Sequence, residues 1–105
     1  MRDASRQDVG LAPEASSYLA HLRRSGTLSE NTLRAYSEDI RALCRWLDRH
    51  SLCVSDLDHA RLRSYLGDLV RAGYSERTVN RRLSSTRGLL LWLSREGVAV
   101  GSGVG

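Results

Sequence analysis

Guanidinium groups at helical spacing are the most chemically pointed feature of the chain. In SERTVNRRLSSTRGLLLWLS, Ser75–Ser94, the residues Arg77, Arg81, Ser84 and Gly88 recur at spacings of four, three and four, with Asn80 and Arg87 flanking them. At about 100° per residue these positions share one side of a helix. Val79, Leu83, Thr86, Leu90 and Leu93 fall on the other side and form an apolar stripe able to enter a core. Arginine donates in a planar fork that matches two phosphate oxygens or the O6/N7 edge of guanine. Small residues between arginines let a partner's backbone come close. A solvated basic face has the same pattern on a lone helix, so the rest of the chain must decide between the two.

No other constellation offers chemistry. His21, His50 and His59 are scattered, Cys44 lies on an apolar stripe, and Cys53 falls in a connection. The two cysteines form no C-x-x-C pair and fit no zinc spacing, so neither a metal nor a cofactor is expected. There is no glycine-rich phosphate loop, no pair of carboxylates and no Ser/His/Asp set. Tyr18, Tyr36 and Tyr65 sit on apolar stripes and read as core. No catalytic residue is expected in this chain.

Composition sets the frame. A chain of 105 residues suffices for one domain with one core. The net charge is +4 and the pI near 9.7, so the distribution of charge says more than its total. All 16 cationic residues are arginine. MRDASRQDVG has no apolar segment of a secretory signal, and no run approaches the ~18 apolar residues of a membrane span. A cytoplasmic protein away from membranes is the expectation.

The elements that must carry these residues follow from periodicity. Residues 1–12 are expected to be disordered, residues 13–98 to form a helical domain, and residues 99–105 to be a flexible linker stub or an appended tail. Pro13 opens a first helix with Ala15, Tyr18, Leu19 and Leu22 inward and Gly26 as its stop. Ser29 caps a second, in which Leu33, Tyr36, Ile40, Leu43, Cys44 and Leu47 repeat at three and four. Arg34, Arg41 and Arg45 line its flank beside Glu38, and Trp46, off the stripe, is placed to pack on a neighbouring helix. Asp58, in competition with Ser55, caps a third helix ending at Gly73, with Leu62, Tyr65, Leu66, Leu69 and Val70 inward. Gly67 inside that helix costs about 1 kcal/mol against alanine and marks a close helix approach. Ser75 caps the fourth helix, which runs to Glu96-Gly97. The second and fourth helices open alike, with S-E-x-T-[LV] from Ser29 and again from Ser75. The fold class is all-α, a four-helix bundle of two helical hairpins.

Three stretches together resemble a known family. They are Ser29-Glu30-Asn31-Thr32 through Trp46-Leu47, the apolar helix ending at Gly73, and the pattern [ST]-x-x-R-x-L-S-x-x-R carried by Thr78, Arg81, Leu83, Ser84 and Arg87. The resemblance is to the N-terminal, SAM-like core-binding domain of tyrosine recombinases, of the Xer type and among phage integrases. It covers nearly all of the helical chain. It implies sequence-specific binding of double-stranded DNA, with the second and fourth helices at the major groove. By motif it points to Thr32, Arg34 and Arg41 on the second helix, and to Arg77, Thr78, Asn80, Arg81, Ser84 and Arg87 on the fourth. Arg81 and Arg77 are then the candidates for base edges, and Arg34, Arg41 and Arg87 for phosphates. Asn80 reads adenine or holds backbone, Thr32 and Thr78 lie toward the core as caps, and Arg82 is expected in an interhelical ion pair.

The resemblance also places catalysis elsewhere. The family's tyrosine nucleophile and its assisting arginines, lysine and histidines belong to a separate C-terminal domain, and this chain has no lysine. His21 to Arg24 reads H-x-x-R like one family box, but at the wrong end of the chain. The implied partners are double-stranded DNA, the C-terminal catalytic domain of the same protein, and another recombinase protomer on DNA. Two other classes fit the composition: a helical protein–protein module, and a non-enzymatic helix-turn-helix regulator. The DNA reading requires helices two and four to turn their arginines toward a common outer surface.

Overall fold

A computed structural model describes residues 11–97, and the N-terminal tail and C-terminal linker expected above lie almost wholly outside them. Within that span the chain forms α1 (Pro13–Ser25), α2 (Glu30–Arg49), a short 3-10 turn (Val54–Asp56), α3 (His59–Arg71) and α4 (Glu76–Arg95). The described residues contain no strand. The all-α expectation of two helical hairpins is met.

Each boundary has a local cause. Pro13 occupies the first turn of α1, and Gly26 ends that helix in the left-handed region at φ 66°, where glycine is unstrained. Ser29 and Ser75 each accept from the backbone N–H of the residue three further on, Thr32 and Thr78, both at 3.2 Å. Asp58, not Ser55, caps α3, accepting from the Arg61 N–H at 2.8 Å. Gly73, at φ 92°, turns the chain out of α3.

The shared S-E-x-T openings belong to a larger repeat. A shift of 46 residues carries α1 onto α3 and α2 onto α4 at every boundary, 13–25 onto 59–71 and 30–49 onto 76–95. The same shift maps Asp39 onto Ser85, and these two side chains meet at 2.8 Å. Contact between equivalent positions is what a local two-fold arrangement produces. The core repeats too: Leu43 and Leu47 of α2 are buried, as are their counterparts Leu89 and Leu93 of α4.

The core lies where α2 crosses α4, the most closely packed pair of helices. Ile40, Leu43, Leu57, Leu89, Leu90 and Leu93 are almost wholly enclosed, each contributing roughly 1.5–3 kcal/mol by leaving water. Leu11 and Ala12, ahead of α1, pack against this core. Trp46 is buried, packs its ring at a tilt of 57° against Tyr65 and donates its indole N–H to Asp68 Oδ2 at 2.7 Å. It thereby ties α2 to α3, as its position off the stripe predicted.

Several expectations are corrected. Val70 was expected inward but is 62% exposed; the inner line of α3 runs through Leu62, Tyr65 and Leu69. Gly67 shows no close helix approach: the three atoms nearest a Cβ built there, at 3.4–3.8 Å, all belong to the Arg71 guanidinium of its own helix. The core face of α4 is turned by roughly 60°, at about 100° per residue, from the stripe read in the sequence. Ser85 and Leu89 are buried, whereas Val79 and Leu83 are only half-buried. Gly88, expected on the open side, is covered by α1: a Cβ there would stand 2.6 Å from the Tyr18 hydroxyl oxygen.

Candidate nucleic-acid interface

The outer face of α4 carries Arg77, Asn80, Ser84 and Arg87, all exposed. Glu76, in the first turn, is the only acid within the helix. These residues are exposed because α4 spends its other side on the core: Arg82, Ser85, Thr86, Leu89 and Leu93 point inward. The face offers guanidinium forks, an amide and a small hydroxyl. That set suits phosphate oxygens and the acceptor-rich edges of bases.

Arg81 sits at the boundary of this face and is held from within the protein. Its Nε donates to Asp39 Oδ2 at 3.0 Å and its Nη2 to Asp39 Oδ1 at 2.8 Å. The Asp39 side chain is 0% exposed, whereas that of Arg81 is 43% exposed. Ser85 Oγ donates to the same carboxylate at 2.8 Å, and Arg82 Nε lies 3.7 Å from Oδ1. The hydrogen bonds that Arg81 donates to Asp39 hold its guanidinium above the ordinary arginine range. Arg82 itself is mostly buried, with its guanidinium 4.5 Å from the centre of the Tyr74 ring. It sits near Tyr65, whose phenol is pushed up by burial while the Arg82 charge works against that rise. The interhelical role expected of Arg82 is therefore present, around a carboxylate that the sequence analysis did not single out.

The arginines of α2 face another way. Arg34 and Arg41 lie roughly 140° and 160° around α2 from Asp39, at about 100° per residue. With Arg23, Glu30, Leu33, Ser37 and Glu38 they line an open groove of about 700 Å³ toward α1. Arg34 is exposed and Arg41 half-buried. The common surface expected of helices two and four thus resolves into two clusters, one on α4 and one between α1 and α2, which do not converge on Arg81. Thr32 and Thr78 are half-buried, and each hydroxyl accepts from its cap serine, at 3.0 Å and 3.1 Å. His21 stacks on Trp92 with ring centres 5.2 Å apart, so the H-x-x-R histidine serves α1–α4 packing.

Two participants were missed. Asp39 falls three residues after Tyr36 and four before Leu43, at the edge of the apolar stripe of α2. A carboxylate there demands buried donors, and that was the available signal. Arg23 carried none, because its groove forms only once α1 folds back on α2.

Among the described residues no helix is long and apolar enough to cross a membrane, and no cluster of His, Cys, Asp or Glu is arranged to hold a metal ion. What remains is a small helical domain of two hairpins with an arginine-bearing outer helix. That is the class, and sequence comparison makes it particular: residues 15–97 match the family model described as phage integrase, N-terminal SAM-like domain, and the chain belongs to that family. It is 42% identical over 69 residues to tyrosine recombinase XerD of Haemophilus influenzae, covering 66% of this chain and 23% of that protein. It is 36% identical over 86 residues to tyrosine recombinase XerC of Pseudomonas fluorescens, covering 81% and 29% respectively. A XerC of Xanthomonas campestris is 38% identical over 81 residues, covering 76% of this chain and 25% of the relative. The chain therefore matches about a quarter of the length of these relatives. No solved structure matches it.

Proposed function

We propose that the chain is the DNA-binding N-terminal domain of a tyrosine site-specific recombinase and grips double-stranded DNA with the outer face of α4. The observation that carries the reading is that face itself, in a member of the integrase N-terminal family: Arg77, Asn80, Ser84 and Arg87 stand exposed together, with Glu76 as the helix's single acid. Arg87 supplies a phosphate contact, and Arg77, named above for base edges, is assigned to phosphate with it because no partner among the described residues fixes its guanidinium as Asp39 fixes that of Arg81; such contacts fix register and make affinity depend on salt. Asn80 and Ser84 lie between them, within reach of base edges. Arg34, Arg41 and Arg23 hold a second stretch of backbone at the α1–α2 groove. Thr32 and Thr78 act through their caps, by fixing how α2 and α4 begin. Strand cleavage falls to a catalytic domain outside these residues, and a second recombinase protomer on the same DNA completes the reaction.

The test is fluorescence anisotropy with the chain and a labelled duplex pool of random sequence. The expected result is saturable binding at low salt that weakens steeply as salt rises. Absence of binding at low salt overturns the proposal and favours a protein–protein module with a merely solvated arginine face.

A further inference from the structure

We infer that Asp39 is a positioning residue for base recognition: it fixes the plane of the Arg81 guanidinium so that its outer edge is presented to guanine in the major groove. The inference rests on the DNA-binding reading above. A guanidinium has five N–H groups, and Asp39 takes one on Nε and one on Nη2, the side edge of the fork. The end edge, formed by Nη1 and the second N–H of Nη2, is left free, and Arg81 is the partly exposed member of the pair. Two parallel donors on that edge match guanine O6 and N7.

The carboxylate is itself immobile. It is fully buried on α2, takes a third bond from Ser85 on α4, and has Arg82 within 3.7 Å. The side chain of Arg81 is thus anchored at its head as well as its root. A long side chain so restrained has lost its rotamer freedom before a ligand arrives, which removes that loss from the act of binding. Arg77 and Arg87 have no such partner among the described residues, and they suit backbone contacts that tolerate mobility. Because α2 and α4 both hold the clamp, the angle at which Arg81 is presented depends on how these two helices cross.

The test starts with selection from a pool of random duplexes by the wild-type chain. Wild type, Asp39→Asn, Ser85→Ala and Arg81→Ala are then titrated against the selected duplex and a scrambled one. They are also titrated against selected duplexes in which single guanines are replaced by 7-deazaguanine, which lacks the N7 acceptor. Asp39→Asn should lose about tenfold or more of the preference for the selected duplex, while its affinity for the scrambled duplex holds or rises with the added net charge. A purely structural defect would weaken both duplexes together. Wild type should be weakened about tenfold by 7-deazaguanine at one position, and Arg81→Ala should be indifferent to that replacement. Should Asp39→Asn fail to show helical circular dichroism, Ser85→Ala takes its place, since it loosens the same carboxylate without removing its charge. Full preference retained in the folded Asp39→Asn or its stand-in, or a wild type indifferent to 7-deazaguanine at every guanine, overturns the inference and leaves DNA binding intact. A wild type that binds without preferring any duplex overturns the inference alone, and one that binds no duplex at low salt removes both.

Discussion

At the residue scale, one carboxylate organises the polar interior. Asp39 is buried where α2 meets α4 and is satisfied by Arg81 and Ser85. Asp39→Ala should destabilise the domain by about 3 kcal/mol in urea unfolding, because it leaves Arg82 as an uncompensated and mostly buried charge. Arg34→Ala, at an exposed site, should stay within about 0.5 kcal/mol of wild type. Asp68 makes a separate prediction. The Trp46 indole bond first, and Arg71 second, hold its carboxyl below the usual carboxylate range. A carboxylate with a depressed folded pKa adds stability above its unfolded value of about 4, and that contribution fades as pH falls through the folded value. The stability gap between wild type and Asp68→Asn should therefore be present at pH 7 and vanish in strongly acidic buffer, as followed by urea titrations at several pH values. Both carboxylates were visible in the sequence, but only Asp39 broke a pattern, by sitting among Tyr36, Ile40 and Leu43. That Arg81 and Ser85 would satisfy it was not legible, because their partner lies more than forty residues away.

At the element scale, helix existence and polarity were readable and helix rotation was not. Caps at Ser29, Asp58 and Ser75, Pro13 and the stop glycines mark the ends through local chemistry alone. The rotation of α4 depends on what it touches. Its half-buried Val79 and Leu83 weigh as much in the periodicity as the enclosed Leu90, and Ser85, a polar residue outside the apolar stripe, is buried because Asp39 accepts its hydroxyl hydrogen. Gly88 shows the consequence. Gly88→Ala should cost about 1–3 kcal/mol through steric conflict with Tyr18, partly offset by the better helix propensity of alanine. Adding Tyr18→Phe should restore most of the loss, since the next atom of that ring lies 3.6 Å from the added methyl. A Gly88→Ala protein of unchanged stability would contradict the α1–α4 packing. Gly67→Ala is the contrast: with no close helix approach at that position, the change should stabilise α3 by about 0.5–1 kcal/mol in the same assay.

At the scale of the whole molecule, the domain is one hairpin written twice. The fourth-helix motif from Thr78 to Arg87 and the repeated serine caps made the family legible, because they are local patterns in fixed order. The position of the arginine clusters was not, since it depends on how the two hairpins close on each other, and that closure separates Arg34 and Arg41 from Arg81. On this reading α4 meets DNA phosphates with Arg77 and Arg87. The most direct measurement is the slope of log affinity against log salt for wild type and for an Arg77→Ala, Arg87→Ala double variant on one duplex. Each phosphate contact contributes about 0.9 to that slope, so the double variant should be shallower by nearly two. Equal slopes, or a wild-type slope near zero, would contradict it.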